Sequence, residues 1–260
     1  RWDDLDGLDT NRLRAIFRYD DAQTDDTALT QAVMRSAQKL GGELHCPANF
    51  LTAKWLGDDY MVHALVNGEE TACRARTLVN AAGPWVNTVL DRVTPRPSVL
   101  PVDLIQGAHI ILGGATSRGI YYVEAPSDRR AVFVMPWKGH TLVGTTETPC
   151  QGDPGAAQAR PGEISYLMET FQHYFPDRRG PLLDSFAGLR VLPHAAGPVV
   201  HRSRETILHP DDPERARLIT IYGGKLTGYR ATAAKVMHLL KKSLPARVAL
   251  ADTANVMLTP

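Results

Sequence analysis

The sequence predicts a mixed α/β protein: part of a parallel strand–turn–helix layer, with an antiparallel β-sheet region inserted into it. Three observations carry this. Two apolar runs, Thr77–Gly83 and Leu218–Tyr222, each lead through glycine into a helical pattern, as strands of a parallel layer do. Between them, residues 109–112, 119–123, 131–136 and 141–145 form short β-rich segments separated by turn-like residues, the pattern of an antiparallel sheet. Helical periodicity is confined to isolated stretches, each with its own start and stop signals.

In chain order, Ile16-Phe17-Arg18-Tyr19 reads as a short strand. A helix follows, capped by Asp25 or Asp26, with Leu29, Ala32, Val33, Ala37 and Leu40 at helical spacing and Gly41-Gly42 as its stop. Strands are expected at 43–46, 49–55 and 60–66, and Asn67-Gly68 is a turn into a return strand at 71–75. Pro84 suits the first turn of a helix over 85–90. Residues 152–162, rich in Gly, Pro and Ala, read as a surface loop, and a helix from Pro161 presents Ile164, Leu167, Met168, Phe171 and Phe175 on one face. Strands at 185–192 and 206–209 precede the final strand and a helix through Leu240. The expected organisation is 1–95 with 216–245 as the α/β layer, 96–215 as the antiparallel domain, and 246–260 as a tail.

Composition narrows the function classes. The 29 basic and 28 acidic residues leave a net charge of +1, with no basic stripe bearing interleaved aromatics, so nucleic acid is not an expected partner. Cys46, Cys73 and Cys150 are odd in number and far apart, which fits neither a disulfide framework nor a zinc site, and no metal is expected. No apolar stretch approaches the roughly 18 residues of a spanning helix, so a soluble or at most peripheral protein is expected.

Five segments could carry chemistry: NAAGPW at 80–85, QGAH at 106–109, PWKGHTLVGTTE at 136–147, GLR at 188–190 and GGKLTGYR at 223–230. The last places free backbone N–H groups and a positive helix end together, with Lys225 and Arg230 adding charge, an arrangement that favours an anion. Read alone, it is equally a tight turn that needs glycine for its backbone angles.

In this order and at these separations, with RYDDAQTDDTAL at 18–29, the segments resemble the FAD-dependent glycerol-3-phosphate dehydrogenases within the D-amino-acid-oxidase-like flavoprotein group. The resemblance runs from about Tyr19 to Leu240. It implies a partial FAD-binding Rossmann-like layer plus an antiparallel substrate-binding sheet, and oxidation of sn-glycerol 3-phosphate to dihydroxyacetone phosphate with hydride passing to FAD and electrons on to a quinone. By resemblance, His109 is the base that takes the C2 hydroxyl proton, and histidine is the side chain whose ordinary pKa lies nearest neutrality. Arg190 and Arg204 match basic residues of the family's substrate site, with Lys225 and Thr227 near substrate, and a phosphate calls for such donors. The flavin seat is expected from Asn80, Ala81, Ala82, Gly83, Pro84 and Trp85 on one side and Gly223, Gly224, Lys225, Leu226 and Thr227 on the other, where a helix N-terminus stabilises the charge of a reduced ring.

Departures accompany the match. No GxGxxG pyrophosphate fingerprint occurs in the sequence, and the family's C-terminal helical domain is not found beyond about residue 245. The chain is therefore expected to be the central portion of a longer flavoenzyme that alone binds FAD weakly or not at all. Family members commonly have a basic residue near Asp103, Lys at Gln106, Ser at Ala108, Asp at Glu147 and Thr at Gly228. Loss of charge at 103 and 106, beside the expected phosphate pocket, leaves an amine or 2-hydroxy-acid oxidoreductase as an alternative, and a non-catalytic module that has lost FAD as another. A cytoplasmic location, peripheral contact with the inner face of the membrane, and a homodimer are further expectations of the resemblance.

Overall fold

The computed structural model describes residues 5–11, 13–195 and 202–258. Two compact units emerge. One comprises the described residues up to Tyr19 with Asp103–Val191; the other comprises Asp20–Val102 and the described residues from Leu192 onward. The division differs from the expected boundaries. The described residues up to Tyr19 go with the antiparallel region, whereas 96–102, the strand near 207 and the described residues of the expected tail go with the α/β layer.

In the second unit, helix α1 (Asp26–Lys39) starts where Asp25 accepts a hydrogen bond from the Ala28 N–H, 3.0 Å, and stops at Gly41, whose φ of +89° only glycine adopts cheaply. Strands β1 (Ala48–Trp55), β2 (Tyr60–Val66) and β3 (Glu69–Ala75) form an antiparallel meander, turned at Asn67-Gly68 with φ of +52° and +87°. The expected strands at 16–19 and 43–46 are not formed: neither segment has ladder pairing among the described residues. β4 (Leu78–Asn80) leads through a 3-10 turn, Gly83–Trp85, into α2 (Val86–Leu90), and β5 (Val93–Thr94) pairs parallel with β1.

The first unit is built on β6 (Val102–Leu112), β7 (Tyr121–Glu124), β8 (Ala131–Trp137), β9 (His140–Gly144), β10 (Thr148–Cys150) and β11 (Leu182–Pro193), a six-stranded sheet among the described residues. Helix α3 (Pro161–Tyr174) packs its Leu167 and Phe171, with Phe175 just beyond, against Ile110, Leu112, Val132, Val134 and Val143. β6 is the long central strand. Both β9 and β10 run antiparallel along it, with His109 opposite Gly144 and Gln106 opposite Thr148. Three residues, Thr145 to Glu147, thus oppose two, Gly107 and Ala108: a β-bulge, the device by which a sheet re-aims side chains beside a site.

The chain returns to the second unit through β12 (Ile207–Pro210) and β13 (Leu218–Tyr222), then a 3-10 turn, Leu226–Gly228, and α4 (Tyr229–Leu240). β13 pairs antiparallel with β12 and parallel with β4, setting Thr220 opposite Asn80. Val236 and Leu240 of α4 pack on Ile219 and Ala216.

The segment around Asp6 is fastened to its sheet by one carboxylate. Asp6 Oδ1 accepts from the Ser117 N–H and hydroxyl, both 2.9 Å, and Oδ2 from the Arg118 N–H, 2.9 Å, and the Tyr121 hydroxyl, 2.7 Å. Burial pushes its pKa upward, but these bonds outweigh burial and hold it below the usual 3.8. Because the folded value is depressed, the stabilisation is complete above the ordinary carboxylate pKa and is lost as pH falls through the lower folded one. Asp6→Asn should cost about 1 kcal/mol at neutral pH, discounted for partial exposure, with the deficit shrinking below about pH 4; urea melts of both proteins across pH check it.

Candidate functional site

Two of the expected groups are drawn together in the second unit by the parallel pair β4–β13. Because Leu218, Ile219 and Thr220 lie beside Leu78, Val79 and Asn80, the segments 80–85 and 223–227 leave the same end of neighbouring strands. That is the carboxyl end of a parallel pair, where α/β layers place ligands. Tyr222, fully buried, fixes the pair further: its hydroxyl donates to Asn87 Oδ1, 3.1 Å, and accepts from the Leu100 N–H, 3.1 Å, so the end of β13 is tied to α2.

Both turns have the local build of a cofactor cradle. Gly83, Gly223 and Gly224 have φ of +53°, +67° and +94°. A Cβ at Gly83 or Gly228 would meet nothing within 4 Å, so the backbone there is open to close approach. One on Gly224 would lie 2.6 Å from Thr206 Oγ1. Among the described residues, neither the 3-10 turns at Gly83–Trp85 and Leu226–Gly228 nor α2 and α4 carry a side-chain cap, whereas α1 is capped by Asp25 and the 3-10 turn at Pro154–Ala156 by Asp153. Trp85 and Gly228 spend their N–H groups inside the turns, on the Ala82 and Lys225 carbonyls, so a ligand would meet the positive ends of the turns and the open backbone at Gly83 and Gly228. These residues fit a flavin ring lying against open backbone.

Asn80 serves differently from its neighbours. Its Nδ2 donates to the Val86 carbonyl, 2.9 Å, and its Oδ1 accepts from the Ala82 N–H, 3.2 Å, so this buried side chain shapes the 80–85 turn from within. Lys225 and Leu226 are exposed on the second turn, as is Thr227, and Ala81 and Trp85 flank the first. Arg204 is exposed, two residues before the Thr206 that abuts Gly224.

The other group lies on the antiparallel sheet. Gln106, Ala108, Ile110 and Leu112 of β6 face α3, so Gly107 and His109 face the opposite side. There the His109 ring stacks on Phe186 of β11, centroids 5.1 Å apart and planes 11° apart. Arg190, four residues along β11 on the same face, approaches Gly107, where a Cβ would lie 3.2 Å from its Nη2. The Arg190 guanidinium also contacts Glu147 Oε1 at 3.5 Å, with only 28% and 11% of the two side chains exposed. Gly144, opposite His109, has to be glycine: a Cβ there would overlap the imidazole.

His109 Nδ1 is buried without a hydrogen-bond partner among the described residues. Burial, and then the Arg190 charge, push the imidazolium down to about 4, so the ring is neutral at physiological pH.

Gln106 corrects the reading of a weakened phosphate pocket. Its amide donates to Glu163 Oε2, 2.6 Å, and to the Gln158 carbonyl, 3.0 Å, on the α3 side of β6. A glutamine there removes no charge from the His109 face. Phe186 and Glu147 were not assigned from sequence. Phe186 was within reach, since alternation puts 186, 188 and 190 on one face of a strand, whereas Glu147 is aimed by the bulge.

Two outcomes follow. Gly144→Ala should displace the His109 ring at a cost of about 1–3 kcal/mol, visible as a lowered melting midpoint with altered His109 ring resonances. A depressed histidine makes the unfolded chain bind the extra proton between its ordinary value of 6.5 and about 4, so stability falls as pH falls through that window. In His109→Gln that part of the slope should vanish, as read from denaturation at a series of pH values.

The family model described as FAD dependent oxidoreductase matches residues 3–234. The chain is 31% identical over 240 residues to the aerobic glycerol-3-phosphate dehydrogenase of Escherichia coli, covering 90% of this chain and 47% of that protein. It is 32% identical over 235 residues to the D-erythritol 1-phosphate dehydrogenase of Brucella abortus, covering 88% and 47%. The structure of a glycerol-3-phosphate dehydrogenase from Bacillus halodurans complexed with FAD superposes with a TM-score of 0.72 at 28% identity, over 85% of this chain and 43% of that one. The chain thus spans about half the length of the curated relatives it matches. With a matching model over most of its length and glycine turns at the ends of its parallel strands, the chain belongs to the FAD-dependent oxidoreductase family.

Proposed function

We propose that this chain contributes to the flavin-dependent oxidation of a phosphorylated polyol, sn-glycerol 3-phosphate in the first instance, to the corresponding ketone. The observation that carries the reading is the His109–Phe186–Arg190 cluster: a neutral imidazole and a largely buried guanidinium brought together on one face of the sheet by β6 and β11. The likeness to the glycerol-3-phosphate dehydrogenases supports the substrate class.

FAD, when bound, supplies the hydride acceptor, and Asn80–Trp85 with Gly223–Thr227 would hold it. The remaining steps fall to side chains. Arg190 binds the substrate's anionic group, with Lys225, Thr227 and Arg204 assigned to the same substrate by family resemblance. His109 takes the hydroxyl proton as the C–H bond breaks. An imidazole with a pKa of about 4 is a weak base, but part of that depression comes from Arg190. A phosphate settling on Arg190 offsets its charge and raises the basicity of His109 as substrate arrives. Phe186 keeps one face of the imidazole away from water. A quinone at the inner face of the membrane would be the second acceptor, as in the quinone-linked enzymes the sequence resembles.

A second substrate is favoured by a specific likeness: the relative acting on D-erythritol 1-phosphate is as similar to this chain as the glycerol 3-phosphate enzymes. Both substrates present a phosphate and an oxidisable secondary hydroxyl. A 2-hydroxy acid would need only the guanidinium.

The test is anaerobic reduction of the flavin in the protein encoded by the whole reading frame that contains this chain, with glycerol 3-phosphate, erythritol 1-phosphate and lactate compared. A phosphorylated polyol should bleach the visible flavin absorbance and lactate should not. His109→Gln should slow bleaching about 10²-fold or more, while Arg190→Gln should act mainly through KM. Bleaching by lactate alone, or a His109→Gln rate equal to the parent's, would overturn the assignment.

A further inference from the structure

The β-bulge that shapes the His109 face is held from the other side of the sheet by a carboxylate. Glu163, in the first turn of α3, is 7% exposed and accepts four hydrogen bonds. Oε1 accepts from the Thr146 and Thr148 hydroxyls, both 2.7 Å; Oε2 accepts from Gln106 Nε2, 2.6 Å, and from the Arg160 N–H, 3.0 Å. Burial pushes its pKa upward, but these bonds prevail and keep it below the ordinary value, so it is a carboxylate wherever the protein is folded near neutrality.

The partners of Glu163 are distributed in a telling way. Thr146 and Thr148 lie within and just after the bulge, and Gln106 lies on the opposing strand, so one carboxylate spans both sides of the irregularity. Thr146 has a second role. While its hydroxyl hydrogen goes to Glu163, its oxygen accepts the Ala108 N–H, 2.9 Å, and its own N–H donates to the Ala108 carbonyl, 3.3 Å. Ala108 immediately precedes His109. A bulge has lost its regular ladder bonds, and side-chain bonds of this kind supply the missing restraint. Regular pairing would have needed no buried glutamate at this place, and burying a carboxylate is costly unless its oxygens are well satisfied.

We propose that Glu163 is a positioning residue for the His109 site, acting through Thr146 on the β6 backbone at Ala108 and through the bulge on the Glu147 that contacts Arg190. The link to catalysis rests on the reading of His109 as the base; the link from Glu163 to His109 does not. The charged groups that face His109 are Arg190 from β11 and, through it, Glu147 from the bulge.

Thr146→Val and Thr148→Val each remove one hydrogen bond to Glu163, but only Thr146 reaches Ala108, so the pair separates positioning from general loss of stability. The readouts are the His109 ring titration by NMR and amide exchange at Ala108, in the full 260-residue chain without flavin or turnover. Thr146→Val should move the His109 midpoint up from its depressed value towards 6.5 and accelerate Ala108 exchange more than tenfold, while Thr148→Val leaves both at parent values. Thr146→Ser, which keeps the hydroxyl, should restore the parent midpoint. Glu163→Gln should reproduce the Thr146→Val shift; if that variant does not fold, the threonine pair decides. Equal shifts in Thr146→Val and Thr148→Val, or no shift in either, would overturn the proposal. An inactive His109→Gln enzyme alongside that result would leave the base assignment standing and remove only the relay.

Discussion

The parallel pairing of β4 with β13 is the constraint on which the cofactor-facing half of this protein depends. Three residue pairs, Leu78 with Leu218, Val79 with Ile219 and Asn80 with Thr220, join segments that are remote in sequence. Each strand alone ends in a glycine turn of a common type. Side by side they put two turns without side-chain caps at one end of one sheet, where the positive ends of both turns favour an electron-rich ligand more than a single turn can. Tyr222 and Asn87 secure the arrangement from beneath, so the spacing of the turns follows from the core rather than from the loops.

On the antiparallel sheet the corresponding constraint is a defect, not a regularity. Perfect pairing of β6 with β9 and β10 would have kept the alternation of side chains unbroken, whereas the extra residue among Thr145–Glu147 turns Glu147 towards Arg190. The glycines at 107 and 144 are the complement of that defect. Each leaves out a Cβ where Thr145 and Arg190, or the His109 ring, must sit. Chemistry on one face of β6 thus depends on a buried polar network on the other, and that network is satisfied at both carboxylate oxygens, the condition for a buried charge to be tolerated.

Much of this was legible in the sequence where the determinants are local. Asp25 and Gly41-Gly42 bound α1, Asn67-Gly68 turns the hairpin, and Pro161 opens α3, because caps and turns act within a few residues. The misreadings share one cause. Residues 43–46 alternate as a strand should, but a strand exists only with a partner, and in the described structure pairing begins at Ala48. Conversely, β6 begins seven residues before the apolar run that announced it, since Gln106 and Gly107 interrupt the pattern for the sake of Glu163 and Arg190. Gln106 shows the limit most plainly: its identity suggested a missing positive charge, whereas its side of the strand makes it part of the support. His109 and Arg190, assigned by resemblance, come together on one face; of their immediate neighbours, Phe186 lies in no motif, and Glu147 ends the 136–147 segment without having been given a role of its own.

The most direct test of the account is an amide shift map of the isotopically labelled chain titrated with FAD, which reports weak as well as tight binding. The account predicts that the largest shifts fall in Ala82–Trp85 and Gly223–Thr227, on the adjoining ends of β4 and β13. Shifts concentrated instead at unrelated glycine turns, such as Gly41-Gly42 or Asn67-Gly68, or spread evenly over the surface, would contradict it.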